Sequence, residues 1–316
     1  MMSTDPLSHR PSFRVADQST PATEFAGPYV SSAPETTASS RSLRPGPERR
    51  ARRTPAQQLE HIARTLSDLD HQILAALDRY GFATTRQLQT LLFIDHSSQL
   101  AAARAAQRTL FRLGELGVVE HLDRRVGGLR AGSASFVWRV GLIGDRLLRR
   151  DTNRARARRK EPSLRTLEHR LMAVDCIVRL TAASRAGSFE LQAVQSEPES
   201  WRPYLGPGGV RQVLKPDLTV ISAAGDYEDH WFLEVDRATE SLPTLLGKCT
   251  QYERYRRSGE EQHRIGVFPW VVWVVPTATH AVRLRRAIDQ QPSLDSTIFK
   301  VTVVDKLVDI VSGAGL

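Results

Sequence analysis

Four acidic residues in the second half of the chain have the spacing of a metal-binding site. Asp217 opens an apolar run, and Glu234 and Asp236 stand two residues apart at the end of the next one. Because side chains alternate along a strand, Glu234 and Asp236 should share one face, and Glu168 on a preceding helical segment could approach them. Clustered carboxylate oxygens suit Mg²⁺ (or Mn²⁺), which can activate water for phosphodiester hydrolysis. The pattern therefore predicts a metal site with hydrolytic chemistry.

A purely structural role for the same acids stays open. Asp217 could cap a turn, and Glu234 or Asp236 could pair with Arg237, since buried carboxylates need partners. Two other kinds of site are disfavoured. The histidines never form HxxxH or HxH, which argues against a zinc hydrolase, and the glycine-rich residues 206–209 lack the Lys-Ser/Thr ending of a phosphate loop. We interpret residues 206–209 as a hairpin or a mobile loop.

The elements that must position these acids alternate between strands and helices. We predict strands at residues 189–195, 213–221, 231–235, 270–275 and 299–304. The predicted helices cover residues 164–185, 242–257 and 280–290. This alternation indicates an α/β domain over residues 163–316 with a mixed central sheet flanked by helices.

Residues 57–145 have the element order of a winged helix-turn-helix. A helix from about residue 66 to 80, a short helix capped by Thr84 or Thr85, and a helix over residues 97–116 precede two β-type stretches. We expect outward side chains of the third helix and the hairpin to contact DNA. They are Arg104, Gln107, Arg108 and Arg112 on the helix and Arg124 and Arg125 on the hairpin. A protein-docking winged helix is the alternative.

The charge balance favours a polyanionic partner. The 316 residues include 44 Lys+Arg and 35 Asp+Glu, a net charge of +9, so we expect double-stranded DNA as the first partner. Residues 1–56, rich in Ser, Thr, Pro and Ala, are predicted to be a disordered tail, and residues 146–162 a basic linker. No run approaches the ~20 apolar residues of a membrane helix. With no apolar signal core, we expect a cytoplasmic location without a membrane partner.

The order of the acids resembles that of the PD-(D/E)xK nuclease superfamily. Pro216-Asp217 matches its Pro-Asp, Glu234 matches the acid of the following strand, and Glu168 matches its helical glutamate. The resemblance implies a nuclease-like fold in which Asp217 and Glu234 hold a metal ion, with Glu168 and Asp236 as further ligands.

The lysine of that superfamily would fall at Asp236, which cannot supply a positive charge. Lys248 on the next helix is the substitute that the resemblance implies, because some members place their lysine there. Gln251 and Tyr255 resemble the QxxxY element of the RecB-like branch, which implies that they orient the DNA strand or the residues behind the site.

Residues from about 66 to 290, which cover most of both predicted domains, resemble the replication-relaxation family of actinobacterial plasmids and integrative elements. The segment EVDRATE at residues 234–240 carries most of this resemblance. It implies a role on mobile-element DNA in replication initiation, relaxation or conjugative transfer.

We therefore expect an α+β protein with an N-terminal winged helix-turn-helix and a C-terminal PD-(D/E)xK-like domain. The favoured function is metal-dependent DNA nicking or cutting in plasmid or integrative-element replication or transfer. The alternatives are a non-catalytic replication or transfer regulator with a degenerate nuclease fold and a DNA-bound transcription factor. A homodimer and contacts with other replication or transfer proteins stay open.

Overall fold

Five helices and a three-stranded sheet form the first part of the described chain. The computed structural model describes residues 56–126, 135–150 and 161–313. The helices are α1 (Ala56–Thr65), α2 (Asp68–Tyr80), α3 (Thr85–Leu92), α4 (Gln99–Glu115) and α5 (Leu142–Arg150). The strands are β1 (Ala83–Thr84), β2 (Val119–Val126) and β3 (Ser135–Val140), in the antiparallel order β1-β3-β2.

Local capping sets the ends of these helices. Ser67 and Asp70 form a reciprocal capping box at the start of α2, and Gly81 ends that helix at a φ of 76°. Thr84 caps α3 through a second box with Gln87. Helix α1 was not among the predicted helices, and it packs Ile62 into the core. The predicted tail at residues 1–56 stays a prediction, since residues 1–55 lie outside the described part.

A second set of elements forms a five-stranded sheet with helices on both faces. Its helices are α6 (Leu164–Arg185), α7 (Leu242–Ser258), α8 (Glu260–Ile265), α9 (Ala278–Asp289) and α10 (Leu307–Val311). The sheet strands are β4 (Glu190–Ser196), β7 (Leu218–Ala224), β8 (Tyr227–Val235), β9 (Trp270–Val275) and β10 (Phe299–Val303). A separate hairpin, β5 (Arg202–Leu205) and β6 (Arg211–Leu214), lies between β4 and β7 in sequence.

The sheet order is β10-β9-β8-β7-β4. Strands β4, β7 and β8 pair antiparallel, whereas β8, β9 and β10 pair parallel. The predicted α+β class and mixed central sheet are therefore confirmed. The single strand predicted over residues 213–221 is wrong, because it divides into β6 and β7 at Lys215-Pro216-Asp217. Pro216 has no N–H for a ladder, and its carbonyl accepts a hydrogen bond from Ser200 Oγ at 2.6 Å instead.

Each face of the sheet has its own core. Helices α6 and α10 cover the face of Leu233 and Val235, whereas α7 and α9 cover the face of Phe232 and Trp273. The alternation along β8 therefore sends successive side chains to different helices. None of the described helices is both long and apolar enough to cross a membrane.

Helices α3 and α6 join the first set of elements to the second. Gln87 Nε2 donates to the Leu171 carbonyl at 2.8 Å and to Asp175 Oδ1 at 2.7 Å, and Arg185 donates to the carbonyls of Thr90 and Leu91. These contacts fix α3, and α4 with it, to the sheet, and both sets belong to one compact unit. The predicted linker at residues 146–162 stays a prediction, since residues 151–160 lie outside the described part.

Candidate functional site

The register between β7 and β8 brings two carboxylates together. Leu218 pairs with Leu233, so Asp217, one residue before β7, stands opposite Glu234 near the end of β8. The amide of Val235 donates to Asp217 Oδ2 at 2.7 Å, which holds this carboxylate against the neighbouring strand. Both acids are buried, with 8% of Asp217 and 2% of Glu234 exposed. Two of the predicted acids therefore meet at one end of the sheet.

Helix α7 supplies two partners to Glu234. Lys248 Nζ lies 3.2 Å from Glu234 Oε2, and the hydroxyl of Tyr252 donates to Oε1 at 2.7 Å. Lys248 and Tyr252 are four residues apart and therefore occupy the same helix face. The predicted Lys248 reaches the site, whereas sequence reasoning missed Tyr252.

Burial controls the electrostatics of this arrangement. Desolvation, followed by the nearby charge of Asp217, raises the pKa of Glu234 to about 8 despite the contacts from Lys248 and Tyr252. Burial alone would lower the pKa of Lys248, but Glu234 and Asp217 outweigh it and raise that pKa to about 12. Burial and then Glu234 raise the pKa of Tyr252 well above its ordinary value. Lys248 therefore stays cationic and Tyr252 stays a hydrogen-bond donor at neutral pH.

The helical residue that reaches Asp217 is His169. Its Nε2 lies 3.0 Å from Asp217 Oδ1, and this hydrogen bond raises the pKa of His169 against the opposing effect of burial. We call Asp217, Glu234, His169, Lys248 and Tyr252 the carboxylate cluster. The only sequence signal for His169 was its position beside the candidate Glu168.

The structure does not bring Glu168 to Asp217 or Glu234. Glu168 forms an ion pair with Arg237, which follows β8 and extends towards α6. Successive residues of a helix point about 100° apart, so α6 can direct only one of Glu168 and His169 at Asp217. The predicted approach of Glu168 to the other acids is thus replaced by a structural ion pair.

Asp236 shares a face with Glu234, as the alternation implied, yet it has separate partners. Asp236 Oδ2 lies 2.7 Å from His280 Nε2 on α9, and Oδ1 accepts a hydrogen bond from the amide of Ala238 at 2.9 Å. Ala238 has a φ of 57°, a conformation that costs energy outside glycine. Asp236 therefore stabilises the turn after β8, and the alternative that it pairs with Arg237 is not what the structure shows, because Arg237 pairs with Glu168.

Gln251 and Tyr255 do not contact the two carboxylates. Gln251 is exposed on α7, and the buried hydroxyl of Tyr255 donates to Glu261. Tyr255 lies on the same buried face as Tyr252, but three residues of rise, about 4.5 Å, carry it past Glu234. The geometry gives no support to the orienting role expected for Gln251 and Tyr255, and Tyr252 occupies that place.

The carboxylate cluster has fewer acidic and histidine ligands in range than a metal site made of protein ligands alone. Within the described ranges, no group of three or more His, Cys, Asp or Glu side chains could by itself enclose a metal ion. Mg²⁺, however, is usually held by one or two carboxylates together with water and phosphate oxygens. Asp217 and Glu234 supply two such carboxylates, and each of their oxygens already has a hydrogen-bond or ion-pair partner from the protein.

A cleft opens beside Asp217, between α2 and α6. Its lining includes Arg79 and Arg170 together with His169 and Asp217. Arg79 bonds to the carbonyl of Val194 and forms an exposed 3.7 Å ion pair with Glu199. The cleft beside Asp217 therefore combines these basic side chains with an apolar wall that includes Val174 and Ile177, and with the acidic Glu197.

Four polar side chains project from α4, and we call them the α4 face: Arg104, Gln107, Arg108 and Arg112. All four are exposed and line a shallow surface with Phe111 and Glu115. Among the described residues, neither Arg104 nor Arg108 forms an ion pair, whereas Arg112 pairs at 2.5 Å with the buried Asp70. Arg124 and Arg125 lie on β2, but their side chains fall outside the described part.

Comparison with known protein families gives one finding. The model of a family described as replication-relaxation matches residues 74–271, which is more than half of the chain. Comparisons with curated proteins and with solved structures gave no match. The matched residues include α3, α4 and the whole carboxylate cluster.

Proposed function

The chain belongs to the replication-relaxation family, and from this membership we propose that it binds and nicks or cuts double-stranded DNA with Mg²⁺ or Mn²⁺. The family associates the chain with plasmid replication or transfer. The observation that carries the proposed chemistry is the convergence of Asp217, Glu234 and Lys248 at the end of two adjacent strands.

The first part of the fold supports DNA binding. From α2 to β3, its order of helix, strand, two helices and two strands, with the sheet order β1-β3-β2, matches the order of a winged helix-turn-helix. In such modules the third helix enters the major groove, and α4 occupies that position. The α4 face presents three arginines and a glutamine, and Arg104, Gln107 and Arg108 can bond to base edges and phosphates because only Arg112 of this set is held in an ion pair within the described residues.

The second part supports a PD-(D/E)xK-like core. Helix α6 precedes the antiparallel strands β4, β7 and β8, and α7 then leads to the parallel strand β9. Asp217 precedes β7 and Glu234 lies near the end of β8, which are the positions that the family resemblance implies. Lys248 faces Glu234 from α7 and supplies the cation that Asp236 cannot.

Each residue of the carboxylate cluster has a separate role in the proposed reaction. Asp217 and Glu234 would hold the metal ion, which when bound polarises the phosphate and activates water. Lys248 places a permanent positive charge beside the pair, where it stabilises the charge that develops on the phosphate. His169 orients Asp217, and Tyr252 orients Glu234. Arg79 and Arg170 would guide the phosphate backbone along the cleft to Asp217.

The test is cleavage of supercoiled plasmid by the wild-type protein and by the isosteric variants Asp217→Asn and Glu234→Gln. We expect metal-dependent nicking by the wild type only, while fluorescence anisotropy gives similar DNA affinities for all three proteins. The matched control is Glu228→Gln, an exposed glutamate on the same strand as Glu234. Equal nicking by Glu234→Gln and the wild type would contradict the assigned site.

One observation favours a second candidate, a non-catalytic replication or transfer regulator. Every carboxylate oxygen of Asp217, Glu234 and Asp236 already has a hydrogen-bond or ion-pair partner, so the same residues can stabilise a fold that no longer cuts. A regulator would bind element DNA without nicking it in Mg²⁺ or Mn²⁺. Asp217→Asn would then lower the stability of the protein, and only changes on the α4 face would remove its function.

A further inference from the structure

The hairpin of β5 and β6 is attached directly to the carboxylate cluster. Its strands pair with each other and take no part in the five-stranded sheet. Strand β6 ends at Leu214, and only Lys215 and Pro216 separate it from Asp217. A strand rises about 3.3 Å per residue, so the turn of the hairpin lies within ~25 Å of Asp217 along the chain.

The two faces of this hairpin differ sharply. Tyr204 and Leu214 are buried against α7, where the Tyr204 ring lies 5.0 Å from that of Tyr255. The opposite face carries Leu205 and Val213, which are 55% and 44% exposed. The inner face therefore holds the hairpin in place while the outer face stays open.

The turn of the hairpin is narrow and apolar. Residues 206–209 form a glycine-rich turn, which the amide of Gly206 closes by donating to the carbonyl of Val210 at 2.8 Å. Gly208 and Gly209 adopt φ values of 71° and 74°, and a Cβ on either would meet no atom within 4 Å. Val210, which follows this turn, is 60% exposed. Leu205 and Val210 thus flank a thin projecting tip.

The charge around the tip suits a polyanion. Residues 202–215 include no Asp or Glu, and of their three basic residues Arg211 is exposed near the turn and Lys215 is exposed at the base, whereas Arg202 is largely buried beside Glu261. Arg211 is exposed and pairs across the hairpin with Leu205, so a cation and an apolar side chain stand together on the outer face. A second copy of this hairpin would bring like charges together, which disfavours self-association through this face.

We propose that this hairpin is a DNA wedge, in which Leu205 and Val210 insert between stacked base pairs beside the carboxylate cluster. Apolar side chains that enter a duplex in this way unstack a base step and kink the DNA, and nearby cations hold the phosphates. Arg211 and Lys215 provide those cations. The wedge rests on the proposed DNA function and adds a local opening of the duplex next to Asp217.

The experiment measures DNA binding and DNA unwinding separately. Relaxed closed-circular plasmid is incubated with the full-length protein and a type I topoisomerase in EDTA, and the linking number is read after deproteinisation. Fluorescence anisotropy on a 30-base-pair duplex reports affinity. The variant is Leu205→Ser with Val210→Ser, and the control is Val282→Ser on α9, which is 69% exposed and outside the hairpin.

We expect the wild type and Val282→Ser to change the linking number. The double variant should leave it unchanged and keep its affinity within about tenfold, because phosphate contacts dominate binding. DNA binding by the wild type without unwinding would overturn the wedge and leave the proposed function intact. No DNA binding by the wild type would overturn both. A dimer in sedimentation that the double variant dissociates would identify the face as a contact between copies and overturn the wedge.

Discussion

The two carboxylates of the carboxylate cluster are buried and paired, whereas the arginines of the α4 face are exposed and, apart from Arg112, have no ion pair in the described part of the chain. Glu234 is almost fully enclosed and contacts both Lys248 and Tyr252. Arg104 and Arg108 are exposed and line a shallow surface with Phe111 and Glu115. The properties of the carboxylate cluster therefore depend on a fixed arrangement of neighbouring residues. The arginines of the α4 face are instead accessible to a binding partner.

This difference predicts how each region responds to mutation. Removal of one charge from a buried pair leaves its partner without compensation, so both stability and chemistry should suffer. Removal of an exposed, unpaired arginine should leave the fold intact and weaken only the interaction with DNA. Arg112 lies between the two cases, because it is exposed yet neutralises the buried Asp70.

Apart from loss of either carboxylate, the largest effect is expected from Lys248→Met. Loss of the ammonium group should lower nicking by about 10²–10³, as removal of a charge-stabilising group does in other enzymes. Because Lys248 is partly exposed, the free energy of unfolding should fall by only about 2 kcal/mol, below the usual range for a buried pair. Plasmid cleavage and urea unfolding measure the two effects. Lys306→Met, which removes an exposed lysine elsewhere, should change neither.

The double variant Arg104→Ala/Arg108→Ala tests the exposed region. We expect DNA affinity to fall by about 10–100-fold and the slope of log affinity against log salt to decrease by about 2, with unchanged thermal stability. The matched control is Arg283→Ala/Arg286→Ala, which removes the same charge from the exposed face of α9. If both pairs weaken binding equally, net charge and not the α4 face determines affinity.

Stability should depend on pH through Glu234. Its pKa is about 8 in the folded protein against an ordinary value of 4.5, so the folded state binds the proton more tightly than the unfolded state. The stabilisation is complete below pH 4.5 and is lost as the pH rises towards 8. Glu234→Gln should abolish this contribution to the free energy of unfolding, which is on the order of a few kcal/mol. Because His169 titrates nearby, we would measure the free energy of unfolding from pH 5 to 8.5 for both proteins and compare the wild type with Glu234→Gln.

The smallest effects are expected from two tyrosines of α7, whose variants should differ in nicking activity. Tyr252→Phe removes the donor to Glu234 and should lower nicking by about tenfold and stability by about 1–2 kcal/mol. Tyr255→Phe removes a donor to Glu261 and should cost similar stability without affecting nicking. Loss of nicking in Tyr255→Phe alone would restore the role that the QxxxY resemblance assigned to it.

Much of the fold was predictable because helical and strand periodicity are local properties. Helix α6 spans the predicted residues, and α7 and α9 differ from their predictions by one or two residues at their ends. The break between β6 and β7 was missed, although Pro216 indicated it. The roles of winged helix, metal site and DNA contacts remain predictions that the proposed experiments test.

The sequence by itself determined which residues could do chemistry and which face of β8 they occupy, because strand alternation is fixed by backbone geometry. Only the tertiary structure decided their partners. The register of β7 against β8 placed Asp217 opposite Glu234, the rotation of α6 selected His169 over Glu168, and the rise along α7 selected Tyr252 over Tyr255. Register, helix rotation and axial position depend on how whole elements pack, and no short segment of sequence contains that information.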